Sequence, residues 1–444
     1  MIKKLSIFII FLLTFFLSFR PVFAVVDPTA TPNNKFGIHI FSEKDLTSAA
    51  NLVNSGGGDW GYVTIVITEA ERDHDRWQKV FDQMRKLHLI PIVRLATKAN
   101  GDTWDAPQEA EINNWVAFLN SLNWVTENRY VVINNEPNHA QEWGDRVDPA
   151  GYALYLKEIS QKLKAASSDF FILPAGLDPA SLNTATTMSE DRFLSREMVA
   201  EPDVFDFVDG WTSHAYPNAS IDIYNHELTV IGKTLPVFIT ETGWPNDKYS
   251  ESQISANLTA AFMNTWNDPK VVAVTPFILD YTTPPFDIYS WEKSDGSFYS
   301  FYSDVQKMTK VKGTPVQIEN GQIMAAFAQP IIITGTDFVG AILAKNTGQT
   351  IWEQGGISIG SESSDFNLKG FSMNGIEPTK LGLIFFRVAE SQNNGVYTNS
   401  LFLTGSKNQR ITNSFSIEGA LVTPNKVQIQ AFFGKILSAV HLGP

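Results

Sequence analysis

Two stretches of this sequence end an apolar run in a carboxylate. In Tyr130-Val-Val-Ile-Asn-Asn-Glu-Pro-Asn-His139, four apolar residues lead into an amide pair and Glu136. In Pro236-Val-Phe-Ile-Thr-Glu-Thr-Gly-Trp-Pro245, a second such run delivers Glu241. A run apolar on both faces suits a parallel strand covered on each side. The polar residues then emerge at its C-terminal end, where barrels of parallel strands carry their active sites. Pro137 has no amide hydrogen and disfavours helix at the preceding residue, so Glu136 is expected in extended backbone at the rim. Two facing carboxyl groups can divide acid/base and nucleophilic work if their surroundings hold one ionised and the other protonated.

Other residues could serve that pair. Arg94 ends the run Ile90-Pro-Ile-Val-Arg94 and would bring a cation near a carboxylate, favouring its charged form; an interior salt bridge is the alternative. Trp143 and Trp244 follow the two carboxylate stretches closely and are candidates for a cleft wall. His39 in the first apolar run either faces the same cavity or packs in the core. The 7 histidines show no ligand spacing, so neither a metal nor any other cofactor is expected. A Gly-x-Ser-x-Gly turn, the usual mark of a serine hydrolase, is absent.

Bringing two strand ends together demands a parallel sheet, and the chain supplies the rhythm for one. Candidate strands run over Phe36–Ile40, Tyr62–Thr68, Ile90–Ala96, Tyr130–Asn134, Phe170–Ala175, Val208–His214, Pro236–Thr240 and Val271–Leu279. Between them, Trp77, Val80, Phe81, Met84 and Leu87, and again Tyr152, Tyr155, Ile159 and Leu163, recur at helical spacing. This alternation predicts an α/β fold, a (β/α)8 TIM barrel over residues 35–310. No glycine-rich phosphate loop follows the first strand.

With those elements in place, Asn135-Glu136-Pro137 and the Glu241 stretch resemble the signatures of the large clan of retaining glycoside hydrolases built on (β/α)8 barrels. The resemblance implies that Glu136 is the general acid/base and Glu241 the nucleophile of a double displacement on a β-linked oligo- or polysaccharide. It implies further roles. Trp211-Thr-Ser-His214-Ala-Tyr216-Pro217 is similar to the clan's His-x-Tyr element, in which Tyr216 would hydrogen-bond the nucleophile, with His214 supporting. Asn135 would bind the sugar 2-hydroxyl, and Trp291 in Tyr289-Ser-Trp-Glu would be the sugar platform. The competing reading is a surface-displayed barrel that binds glycan without cleaving it.

The flanks complete the plan. Lys3 and Lys4, the apolar run Leu5–Phe19 and Val22-Phe23-Ala24 read as a signal peptide over residues 1–24, or alternatively an uncleaved membrane anchor, followed by a spacer at 25–34. Either form places the protein outside the cytoplasm, secreted or anchored. Without 1–24 the chain keeps 31 basic against 47 acidic residues, a net −16 that argues against nucleic acid as a partner. There is no cysteine, so stability must come from packing. After a linker at 310–315, residues 316–444 turn to short β-type runs with Gly and Asn, predicting an all-β sandwich. Asn346-Thr-Gly-Gln-Thr-Ile-Trp352 resembles the turn and strand of certain immunoglobulin-like accessory domains. Trp352 is then a core anchor, with sugar stacking the other reading. Such a domain would bind glycan or the cell surface.

Overall fold

A computed structural model describes residues 25–363, 367–389 and 395–422. The expected signal peptide at 1–24 lies outside the described residues. Contacts divide the chain after Val316 into two compact units.

The first unit alternates strands with helices. Its parallel strands are β1 (Gly37–His39), β2 (Gly61–Thr68), β3 (Leu89–Ala96), β4 (Arg129–Ile133), β5 (Phe170–Pro174), β6 (Trp211–His214), β7 (Val237–Glu241) and β8 (Val271–Val274). Its helices are α1 (Leu46–Val53), α2 (His74–Lys86), α3 (Ile112–Ser121), α4 (Pro149–Ala166), α5 (Glu190–Ala200), α6 (Tyr224–Ile231), α7 (Glu251–Met263) and α8 (Ser300–Lys307). Strands β1 to β5 pair in sequence, as do β6 to β8. At one seam Phe36 bridges Val274, and the His39 N–H donates to the Pro276 carbonyl at 3.0 Å. At the other, Asp209 replaces a strand ladder: its N–H donates to Ile172 O (2.9 Å) and its carboxylate accepts from Ile172 N–H (2.8 Å). The eight strands therefore form a ring.

Alternation along each strand fills the two sides of that ring. Tyr62, Ile90, Ile92, Tyr130, Val132, Phe171 and Phe238 meet inside it, with the Tyr130 ring 5.0 Å from Phe171 and 5.1 Å from Phe238. Val131 and Ile133 point the other way, into the layer shared with the helices. The helix starts are written locally. Asp73 accepts from the Arg76 N–H at the head of α2, and Asp148 from the Gly151 N–H at the head of α4, where Pro149 needs no partner. Their apolar faces, including Phe81 and Ile159, are fully buried. Each such side chain stabilises the fold by roughly 1.5–3 kcal/mol, and a cavity at Phe81 would cost about 3–5 kcal/mol.

Three expectations are corrected. Regular pairing of β8 stops at Val274 rather than Leu279, because Pro276 has no N–H to continue it; single bonds such as Phe277 N–H to Thr242 O (2.9 Å) carry the chain along the rim. The segment read as a spacer is packed: Asn33 reaches Val272 O (2.6 Å), Asn34 reaches Val53 O (2.9 Å), and Asn128 holds Val26. The 310–315 segment is likewise bound to the first unit, with the Lys310 ammonium donating to Val305 O at 2.6 Å and Thr314 N–H to Pro32 O at 2.9 Å.

Among the described residues the second unit holds two four-stranded sheets. Its strands are β9 (Gly321–Ala328), β10 (Ile331–Ile333), β11 (Phe338–Asn346), β12 (Ser358–Ser361), β13 (Asn367–Met373), β14 (Leu381–Ala389), β15 (Gly395–Thr404) and β16 (Phe415–Val422). One sheet runs β9-β11-β14-β13, all antiparallel; the other runs β10-β16-β15-β12, with only β10 and β16 parallel. Ile342, Ile384 and Phe386 from the first share a core with Leu401, Leu403 and Ile417 from the second. Trp352 is 1% exposed within that core, which leaves it no face for sugar stacking. Asn346 ties the preceding turn through Thr350 O (2.7 Å) and Ile376 O (2.9 Å), and a Cβ on Gly348 would meet Ile318 O at 2.4 Å. No helix among the described residues is long and apolar enough to cross a membrane.

Candidate active site

Beyond the C-terminal ends of the ring strands lies a cleft of about 540 Å³, lined by His39, Arg94, Asn135, Glu136, Tyr216 and Glu241 among others. Strand periodicity puts most of them there. His39 follows Gly37 on the inner face of β1, and Arg94 follows Ile92 on that of β3. Glu241 needs more. Phe238 points inward and Ile239 outward, so alternation alone would turn Glu241 out of the ring. A bulge intervenes: Ser213 pairs with Ile239, but the next residue, His214, pairs with Glu241. The extra residue, Thr240, resets the parity and directs Glu241 into the cleft.

Glu136 arrives differently, and its expected extended backbone is corrected. Asn134 (φ 69°) and Glu136 (φ 30°) both lie in the left-handed region. Pro137 bars the right-handed helical conformation at Glu136, and hydrogen bonds select the turn instead. The Glu136 N–H donates to Gly176 O at 3.0 Å, while its carbonyl accepts from His139 N–H at 2.9 Å. Strain of this kind costs on the order of 1–3 kcal/mol per residue and persists where the surroundings overdetermine it.

The side chains converge. One carboxylate oxygen from each glutamate and the His214 Nδ1 lie within 4.8 Å of one another. Arg94 donates to Glu241 Oε1 (2.5 Å) and to Asn135 Oδ1 (2.7 Å), and the Tyr216 hydroxyl donates to Glu241 Oε2 (3.1 Å). His214 Nδ1 stands 2.7 Å from Glu136 Oε1 and 3.9 Å from Glu241 Oε2. The fit is tight, since a Cβ on Gly176 would sit 2.3 Å from the His214 ring. Glu136, His214 and Glu241 are also of metal-ligating types, but the guanidinium already neutralises Glu241 at hydrogen-bond distance, and Glu136 is engaged by the imidazole.

Electrostatics separates the two carboxyls' surroundings. Burial pushes the Glu241 carboxyl up, yet the His214 and Arg94 charges and the Tyr216 hydrogen bond outweigh it and hold it below the usual range. Burial pushes His214 down, but Glu241 and Glu136 raise it overall. His39, pushed to about 3 chiefly by burial with Arg94 adding, is neutral near pH 7 and lends Glu241 no charge there. Both its ring nitrogens are buried without a partner beside the cleft, and its ring lies 5.1 Å from Phe277. It is therefore a cleft residue.

The expected tryptophans are not brought into the cleft. Trp291 is buried edge-on against Phe301 (5.1 Å), Trp244 beside Trp266 (6.1 Å) and Trp143 against Tyr152 (5.4 Å). The aromatic wall comes instead from Phe277, Tyr281, Phe286 and Tyr289, with Tyr289 set 5.6 Å from Tyr216. Sequence reasoning missed Phe277 because it lay inside an overlong strand; its place after Pro276 was the available signal. It also missed Glu142, which lines the same cleft from the turn after His139. Burial, with Glu136 adding, raises the Glu142 carboxyl to about 7.

No family model matches the chain, and no curated protein matches it. Similar solved structures include a GH39 β-xylosidase from Caulobacter crescentus, 14% identical with a TM-score of 0.49 over 71% of this chain and 79% of that one. A family 39 glycoside hydrolase from the gut symbiont Bacteroides cellulosilyticus WH2 is 13% identical, with a TM-score of 0.47 over 82% of each chain. A β-mannanase from Thermomonospora fusca is 15% identical, with a TM-score of 0.42 over 62% of this chain and 90% of that one. At these identities no residue role passes from those proteins to this one.

Proposed function

We propose that this chain is a retaining glycoside hydrolase that cleaves β-glycosidic bonds by double displacement, with Glu241 as nucleophile and Glu136 as general acid/base. The observation that carries the reading is the closeness of the two carboxyls, within 4.8 Å by one oxygen each. Retaining pairs stand roughly 5–5.5 Å apart, whereas inverting pairs leave about 6.5–9.5 Å for a water molecule. Glu241, held ionised by Arg94, Tyr216 and His214, attacks the anomeric carbon while Glu136 protonates the departing oxygen. Glu136 then takes a proton from the water that releases the sugar. Asn135, fixed through its Oδ1 by Arg94 and hydrogen-bonded to Glu142, stands beside the site for the sugar 2-hydroxyl, and the unpartnered nitrogens of His39 suit another hydroxyl.

The wider assignment belongs to the same proposal: a (β/α)8 barrel over 35–310, exported by a signal peptide at 1–24 and followed by an immunoglobulin-like accessory domain that binds glycan or the cell surface. The test is a panel of 4-nitrophenyl β-glycosides and β-linked polysaccharides, with proton NMR of the first-formed anomer. The expected result is turnover with retained configuration, lost in Glu241→Gln. An inverted first product, or equal rates in Glu136→Gln, Glu241→Gln and wild type, overturns the reading; binding without any product would favour a glycan-binding protein.

A further inference from the structure

Beside Glu136 stands a polar cluster that the proposed hydrolysis does not use. His139 Nε2 lies 2.9 Å from Asp178 Oδ2 and 2.8 Å from Ser181 Oγ, and that hydroxyl donates to the same Asp178 oxygen at 2.7 Å. The other Asp178 oxygen accepts from Ala180 N–H at 2.9 Å. Serine and aspartate meet one and the same imidazole nitrogen, so this is no nucleophile relay, which needs them on opposite nitrogens. Asp178 is engaged at both oxygens. The His139 Nδ1 makes no hydrogen bond among the described residues, and His139 lines the cleft.

The cluster is held more firmly than a surface loop requires. Fully buried Asn138 donates to Asp178 O (2.9 Å) and Met188 O (3.1 Å) and accepts from Asp178 N–H (3.2 Å). Ala140 N–H donates to Thr186 O at 2.8 Å. The loops after β4 and β5 thus form one wall, starting three residues past Glu136. In the proposed reaction Glu136 faces the departing oxygen, so the wall continuing from it borders the leaving group rather than the sugar bonded to Glu241.

We propose that His139, positioned by Asp178 and Ser181, recognises the leaving-group sugar by a hydrogen bond between Nδ1 and one of its hydroxyls, so that the preferred substrate is an oligosaccharide with a sugar on both sides of the cut bond. This rests on the hydrolase reading. The Asp178 hydrogen bond outweighs burial, with Glu136 and Glu142 adding, and raises His139; with Nε2–H held by Asp178, Nδ1 accepts from a hydroxyl when the ring is neutral and donates to one when it is charged.

The test uses matched pairs: 4-nitrophenyl β-D-xyloside with β-1,4-xylobiose, and the glucoside with cellobiose and mannoside with mannobiose. In His139→Ala and Asp178→Asn, kcat/KM on the disaccharide relative to the aryl glycoside should fall roughly 10- to 100-fold, mostly through KM, as loss of a hydrogen bond to a ring polarised by a carboxylate implies. His139→Gln should recover part of it. A purely structural role would lower both substrates together, and that result, or no change in the ratio, overturns the proposal. Titration calorimetry on Glu241→Gln protein makes the comparison without turnover: adding His139→Ala must weaken the disaccharide more than the monosaccharide. If no pair is hydrolysed but this difference in binding appears, the hydrolase reading fails and the recognition site stands.

Discussion

The ends of β4 and β7 begin from the same kind of sequence, an apolar strand running into a glutamate, and finish as opposites. Glu241 stays within its strand, turned inward by one inserted residue, with its side chain 10% exposed and met by Arg94, Tyr216 and His214. Glu136 leaves its strand through two left-handed residues, and its side chain is 22% exposed with an imidazole as its close partner. A rigid strand with a permanent cation favours a group that must remain charged. A strained turn opening on the cleft favours one that, in the proposed reaction, exchanges protons with a departing oxygen and an arriving water. Backbone course, more than residue type, divides the labour.

That contrast can be broken most severely at the carboxyls themselves. Glu241→Gln should lower kcat on every substrate by up to about 10⁶-fold, the scale of removing a covalent nucleophile. Glu136→Gln should cost about 10²–10⁴-fold on disaccharides. It should cost far less on a 2,4-dinitrophenyl glycoside, whose leaving group departs without a proton; steady-state kinetics on both substrates separates the two roles. Arg94→Met attacks the asymmetry at its source. Glu241 is depressed in the fold, so its ionised form persists until pH falls through that depressed value; removing the cation should move the acidic limb of kcat/KM upward by about 1–3 pH units. Breaking the buried pair should also lower stability by roughly 3–5 kcal/mol in urea unfolding. Tyr216→Phe is milder, about 10-fold in kcat/KM with the limb shifted the same way.

The smallest effect sharpens the comparison from the side. Glu142 rises to about 7 in the fold, so the native state holds its proton more tightly than the unfolded chain. Stability from this group is present at acid pH and lost as pH rises from the ordinary carboxylate range through about 7. Glu142→Gln should therefore match wild type at or below about pH 4 and exceed it in Tm by a few degrees at pH 8. A difference independent of pH would show that the Glu142 environment is not what sets its proton affinity.

Much of this was legible in residue order. Short apolar runs marked the ring strands, helical spacing marked α2 and α4, and Glu136, Glu241, Arg94, Asn135, Tyr216 and His214 do converge. What escaped was set by geometry that periodicity does not encode. The bulge at Thr240 is invisible in a string that simply reads Ile-Thr-Glu. Tryptophans nominated by nearness in sequence to the motifs packed beneath them, because a large apolar ring gains more from burial than from a wet cleft. Phe277 took the wall instead, by sitting where Pro276 ends the ladder. Asn33 and Asn34 looked like spacer residues, yet their amides reach carbonyls far along the chain.

Gly176 carries a consequence for descent. It contributes no side chain to the site, so a comparison of residue types would pass over it; yet one added methyl there must displace the His214 ring. That displacement would release Glu136 and take the imidazole from beside Glu241 while leaving both carboxylates written in the gene. Under the proposed reaction, a lineage of this fold can thus trade turnover for mere sugar binding by a single-nucleotide step at a position that bears no chemistry. Among its descendants, the presence of both glutamates would record ancestry, and the residue at 176 would record whether the proposed site is still assembled.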